Sequence, residues 1–490
     1  MARSSSPGLL ALWSRVLLVF GSGITLATAA RIRRLRDSSS RSPPAARPLV
    51  TRLSHSEYHA RSGRSGTGPK FNNALAASSG QATSGTEISS RQMVGLLKHR
   101  AGLPPGRVAL SVPVPKDKRH GVVQRLLSDK LGTEYTGSIG IGTKRGPTGE
   151  LEAESVLNVV FDTGSTDLWV ASVICSLGPC SELSRRRFNF SNSETFFMPD
   201  KTYNFATVYG SGELEGVLGI DDVRVGPMLV QQQEIGLIRA EHGELFSTLE
   251  FDGILGLGRT DTGAGTTAVF DSIVKQQVLP VPEFAFYLHP DFAFGGAVLW
   301  GGIDERLYEE PLVWYPVVGN DFWALELTAF TVGNQTLTGN GGTLGRSSRR
   351  PLVIVDSGTT FLTAMGDVYQ ALAAAVRTVH CSDMGTLPSL VYTLKDTEGQ
   401  QHNITVPPEE YLVKAAEGGE WCFPGIMEFG PHFGPFEEHH PMILGEVFMR
   451  HHFTVFRRSS ARGGRPEIGI ARSARGASAQ AFFEDTVEKS

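Results

Sequence analysis

The sequence predicts a mainly β chain folded as two pseudo-twofold related, β-barrel-like lobes with a cleft between them. Three observations carry this. From Tyr135 onward the 490-residue chain breaks into short runs of Val, Ile, Phe and Thr between Gly, Asn and Asp, and its 56 glycines suit turns better than helix interiors. The run "VVFDTGSTDLWV" (Val159 to Val170) returns as "PLVIVDSGTTFLTA" (Pro351 to Ala364), each driving an apolar strand into an Asp followed by a Gly turn. Each copy is closed by an "ILG" segment: Gly256 lies 94 residues after Asp162, and Gly445 lies 89 residues after Asp356. Matched spacing of this kind reads as one lobe duplicated, with corresponding aspartates meeting at the axis.

Residues 1–30 carry a basic start, an apolar run and a small-residue site at Ala27-Thr28-Ala29, the pattern of a secretory signal peptide. Arg15 interrupts the run, so an uncleaved signal-anchor is the alternative. The stretch from Val16 to Ala30 holds 15 residues, against about 20 for a membrane span, and this favours cleavage. Localisation in the secretory pathway follows, either secreted or in an acidic vesicle.

Residues 31–130 hold 19 Lys+Arg against 5 Asp+Glu, and residues 131–490 hold 25 against 45. A basic arm beside an acidic body can signal nucleic-acid binding, but the arm has neither aromatic interleaving nor a nucleic-acid motif. Lying on the body is the better reading. Rich in Ser, Arg, Gly, Pro and Ala, the arm is expected to be mostly disordered. Short helices are expected over Ser89 to Gly102 and near His120 to Leu131.

The first lobe is assigned to residues 131–315, the second to 316–475, and a tail to 476–490. A brief helix is expected over Met365 to Val379, and a polar, cleavable loop over Thr338 to Arg350. The four cysteines, Cys175, Cys180, Cys381 and Cys422, lie in the acidic body. An even count behind a secretory signal suggests disulfides. Locality favours Cys175–Cys180 and Cys381–Cys422, although three connectivities are open.

Two facing buried carboxylates can share one proton, leaving one acid and one base. Such a pair can hold a water, deprotonate it for attack on a carbonyl, and protonate the leaving nitrogen. Asp-x-Gly alone is an ordinary turn; the repetition at matched positions raises it to a candidate site. Glycosidases also use two carboxylates but need neither this repeat nor a flap.

At this point the chain resembles the pepsin-like aspartic proteases, over roughly Thr133 to Arg472. The catalytic motifs stand as "VVFDTGSTDLW" and "VIVDSGTTFL", the flap as "VYGSGELEG", and further signatures as "FDGILGLG", "LWGGID" and "ILGEVFMRHHFTVF". The resemblance implies an aspartic endopeptidase with catalytic Asp162 and Asp356, supported by Ser165, Thr359, Gly164 and Gly358. It implies a flap of Tyr209, Gly210 and Ser211 closing over substrate, with Trp169 hydrogen-bonded to the flap tyrosine. Both cysteine pairs fall at the family's disulfide positions. An apolar cleft is expected from Phe246, Phe251 and Ile254 on one side and Ile354 on the other, hence hydrophobic residues around the scissile bond. The implied partners are protein or peptide substrates, pepstatin-type inhibitors and the chain's own basic prosegment, and the protein is expected to be a monomeric zymogen without cofactor, metal or nucleic acid. The plug is expected over Lys98 to Lys118, with one unassigned lysine reaching the dyad.

Departures from the family pattern are Ser357 for the commoner Thr, Asp167 for Asn, and a longer "KRGPTGELEAES" segment (Lys144 to Ser155) expected as a surface hairpin. The arm and loop pattern resemble apicomplexan members such as plasmepsins. His432, His439, His440, His451 and His452 are read as loop and strand-end residues rather than metal ligands, and Asn189, Asn334 and Asn403 are glycosylation sequons.

Overall fold

The computed structural model describes Val122–Ser128 and most of Glu134 to Val487. Outside the described residues lie 1–121, 129–133, 184, 200–202, 210–211, 244–245, 247–250, 260–265, 292–293, 321, 343–350, 415–418, 429–440, 460–463 and 488–490. The apolar N-terminal segment, the Lys98 to Lys118 plug, flap residues Gly210 and Ser211, and His432, His439 and His440 are therefore outside them.

The chain is mainly β, as expected, and the repeat is visible in its hydrogen bonding. In the first lobe the strand Ser155–Asp162 runs parallel to Gly253–Gly256, with Asp162 opposite Gly256. Gly253–Gly256 also pairs antiparallel with Leu168–Ala171, setting Ile254 opposite Trp169. In the second lobe Leu352–Val355 runs parallel to Met442–Leu444. That strand pairs antiparallel with Leu362–Ala364, setting Ile443 opposite Thr363. The "ILG" glycines have a steric reason. A Cβ on Gly256 would collide with the Thr166 backbone, and one on Gly445 with the carbonyls of Thr359 and Phe361. Each glycine lets the Asp-bearing loop cross the strand.

A six-stranded antiparallel sheet joins the lobes, in the order Val122–Ser128, Gly296–Trp300, Glu283–Leu288, His452–Arg457, Glu467–Ser473, Tyr308–Val318. Behind it the core is continuous between lobes: Phe284 packs on Trp300 at 5.7 Å and on Phe456 at 5.0 Å, and Trp323 meets Phe456 at 5.2 Å. The indole of Trp323 donates to the carbonyl of Leu257 at 2.9 Å, tying second lobe to first. Each of these rings, fully buried, contributes roughly 1.5–3 kcal/mol.

The helix expected near His120 to Leu131 is instead the strand Val122–Ser128. Val122 and Leu126 are its buried positions, and an i, i+4 pair satisfies both the helical and the strand period. The free edge of Gly296–Trp300, which pairs with Val122 to Leu126, decides between them. The expected short helix is present as Gly366–Ala375. The longer segment after Thr143 is a hairpin in which Lys144 pairs with Glu152. The tail forms the helix Ala477–Val487, burying Ala479 and Phe482 and laying Phe483 under Arg125 of the first strand at 4.2 Å. Among the described residues, no helix is long and apolar enough to cross a membrane.

Candidate active site

Asp162 ends its strand and Asp356 follows Val355, so each carboxyl arrives from an apolar strand and is almost fully buried. The two turns are constructed alike. The Gly164 N–H donates to Asp162 Oδ1 at 2.8 Å, and the Ser165 hydroxyl to Asp162 Oδ2. The Gly358 N–H donates to Asp356 Oδ1 at 2.9 Å, and the Thr359 hydroxyl to Asp356 Oδ2 at 2.6 Å. Each glycine also abuts the opposite carboxyl: a Cβ on Gly164 would stand 2.6 Å from the Asp356 carboxylate, and one on Gly358 would collide with Asp162 Oδ1. Any larger residue there would drive the carboxyls apart.

Burial first, and then the negative charge of Asp356, push the Asp162 carboxyl well above the usual carboxylate range. Its donors from Ser165 and Gly164 act the other way and are outweighed. Asp162 thus keeps its proton above the ordinary carboxylate range.

The turns are locked to each other by Thr163 and Ser357. The Thr163 N–H donates to the Ser357 hydroxyl at 3.0 Å, and the Ser357 N–H to the Thr163 hydroxyl at 3.0 Å. Thr163 Oγ1 donates onward to the Val355 carbonyl at 3.0 Å, and Ser357 Oγ to the Phe161 carbonyl at 2.6 Å. The signal was present: the middle residue of Asp-x-Gly carries a hydroxyl in both copies.

Above the first turn, Trp169 Nε1 donates to the Tyr209 hydroxyl at 3.0 Å. Burial, then the charges of Asp162 and Asp167, push the Tyr209 phenol up, so it stays protonated. Asp167 is buried and accepts a 2.7 Å hydrogen bond from Thr266. Phe251, Ile254 and Phe246 join Trp169 in one apolar cluster against which Tyr209 packs, while Ile354 belongs to a separate small cluster with Ala324 and Ile443, flanked by Val318 and Phe322.

Both cysteine pairs are bonded, Cys175 to Cys180 and Cys381 to Cys422. Among the described residues no group of His, Cys, Asp or Glu could hold a metal ion. His451 Nδ1 accepts from Arg475 at 2.7 Å, and His452 sits between the Phe448 carbonyl and Arg472. Burial, then these arginines, push both imidazoles down to about 3.

A family model described as eukaryotic aspartyl protease matches residues 134–472. The chain is 33% identical over 370 residues to Aspartic protease 3 of Toxoplasma gondii, covering 73% of this chain and 53% of that protein. It is 32% identical to Cathepsin E-A of Xenopus laevis, covering 69% of this chain and 80% of that one. To Pepsin A of Sus scrofa it is 33% identical, covering 69% and 82%. The matched segment thus spans about half the length of the Toxoplasma relative and about four fifths of the other two.

Proposed function

The chain belongs to the eukaryotic aspartyl protease family, a family of aspartic-type endopeptidases, and from that premise we propose that Asp162 and Asp356 are its catalytic dyad. The observation that carries this is the matched pair of turns, each donating a glycine N–H and a hydroxyl to its own carboxyl while its glycine abuts the other. Sharing of one proton between two such carboxyls is already established for aspartic-protease dyads in general. The ionised carboxylate takes a proton from a water held between the pair, and the water oxygen bonds to the scissile carbonyl carbon. The protonated carboxyl gives its proton to the carbonyl oxygen as the tetrahedral species forms. In the collapse the C–N bond breaks as one carboxyl gives its proton to the leaving nitrogen and the other takes one from a hydroxyl of the tetrahedral species, which restores the dyad's single shared proton.

In this reading Tyr209, backed by the buried Trp169, Phe251 and Ile254, bounds the substrate on one side and the segment of Ile354 on the other, which favours hydrophobic residues around the cut. Gly210 and Ser211 complete the proposed flap. The basic arm, ending at a strand seated in the sheet that joins the lobes, is the proposed inhibitory prosegment. Attraction to the acidic body holds it at neutral pH, and it loosens below about pH 5 as surface carboxylates protonate. A route through the secretory pathway and sensitivity to pepstatin belong to the same reading.

The test is hydrolysis of a peptide library by the protein starting at Arg31, incubated at pH 7 and then at pH 4 to 5, with and without pepstatin. Pepstatin-sensitive cleavage between hydrophobic residues is expected, appearing as the N-terminus shortens. Cleavage that persists in Asp162→Asn at a substantial rate would refute the dyad.

A further inference from the structure

We propose that Arg185, paired with the fully buried Glu241, is a positioning residue that sets the packing of the buried aromatic wall behind Tyr209 and thereby the preference for large side chains around the cut. This rests on the endopeptidase reading above. The wall is formed by three rings packed edge to face: Trp169 with Phe246 at 6.2 Å, Trp169 with Phe251 at 6.0 Å, and Phe246 with Phe251 at 6.4 Å. Edge-to-face contact is a favoured aromatic geometry, so a shift of one ring is felt by the other two.

Arg185 grips both phenylalanines. Its Nη2 donates to the Phe246 carbonyl at 2.8 Å, and its guanidinium lies 5.4 Å from the centroid of the Phe251 ring, within cation–π range. Glu241, at the end of the strand Met228–His242, stands 3.8 Å from the same Nη2, and the two side chains are 6% and 0% exposed. A buried ion pair is seldom a net source of stability, and hydrophobic replacements are often neutral or better. The pair therefore calls for another use, and its contacts supply one: the guanidinium lies over the Phe251 ring and holds the backbone carbonyl of Phe246. Arg185 Nη1 is itself buried without a hydrogen-bond partner among the described residues, a cost that packing alone would not favour. Arg186, its neighbour, is spent elsewhere, on Asp252 at 3.1 Å.

The experiment compares wild type, Arg185→Lys and the double variant Arg185→Met/Glu241→Gln on two pairs of peptides, one differing only in Phe or Ala before the cut and the other only in Phe or Ala after it. The double variant removes both charges together, so no lone buried charge remains. Lysine keeps the charge opposite Glu241 but cannot also reach the Phe246 carbonyl and cover the Phe251 ring. Both variants are expected to melt cooperatively and to lose about tenfold of the Phe-over-Ala preference in kcat/KM in at least one pair, with the loss falling mainly on KM. If the double variant does not fold, Arg185→Lys alone decides. A folded variant with the wild-type preference in both pairs would overturn the role of Arg185. Wild type that cleaves none of the peptides would instead refute the endopeptidase reading.

Discussion

At the same register of the duplicated motif the first lobe places Trp169 and the second Thr363, opposite Ile254 and Ile443 respectively. Trp169 reaches out of the motif to the Tyr209 hydroxyl, whereas the Thr363 hydroxyl turns inward and accepts the Ile443 N–H at 3.0 Å. The same divergence holds for the surroundings: three packed aromatic rings beside the first turn, a small aliphatic cluster of Ala324, Ile354 and Ile443 beside the second. What stays matched is the set of contacts to the two carboxyls. In the proposed dyad, chemistry that needs two equivalent groups would keep the backbone and its donors alike, and the packing around the two turns is free to diverge.

Breaking the matched part should cost most. Thr163→Val leaves the Ser357 N–H and the Val355 carbonyl without their buried partner. We expect a loss of about 3 kcal/mol in urea unfolding, with activity falling alongside because both turns lose their lock. A loss below about 1 kcal/mol would mean the lobes are held together elsewhere.

Next comes the pH dependence of the pair. A carboxyl whose folded value is raised keeps its proton where the unfolded chain has released it. The folded state then binds more protons, and stability falls as pH rises from the unfolded value near 4 until the folded value is passed. Relative to Asp162→Asn, wild type should lose stability over that window, by about 1.4 kcal/mol per pH unit at the steepest. Parallel urea midpoints for the two proteins from pH 4 to 7 would contradict the raised carboxyl.

Asymmetric features should matter less. Trp169→Phe keeps the ring cluster and removes one hydrogen bond to Tyr209, worth about 1 kcal/mol, so kcat/KM should fall roughly fivefold with little change in melting temperature. Smallest in its effect on activity is Ser357→Thr, which makes the two turns more alike: one added methyl in a buried site should cost about 1–3 kcal/mol of stability and leave kcat nearly as it was.

How much of this the sequence revealed follows from what each feature demands. The Asp-x-Gly turns and the "ILG" glycines are local signatures because only glycine fits where backbone crosses backbone, at Gly256 and Gly445. Trp169 and Tyr209 were legible from their motifs, and both cysteine pairs from locality. The Thr163–Ser357 lock was not, because it joins residues 194 apart and each looks like an ordinary turn hydroxyl. Arg185 and Glu241 were hidden for the same reason, since neither belongs to a motif and a buried ion pair leaves no periodic trace. The strand Val122–Ser128 looks like helix in the sequence because its buried residues suit both periods and its partner strand lies far along the chain.

The central claim is that two carboxyls from separate lobes act as one proton-sharing unit. The most direct test is kcat/KM for Asp162→Asn, Asp356→Asn and the double Asn variant on one hydrophobic peptide, each shown to be folded. Each single variant should lose at least about a thousandfold, and the double variant should be no worse than either. Losses that multiply in the double variant, or one single variant that retains substantial turnover, would show that the two aspartates work separately.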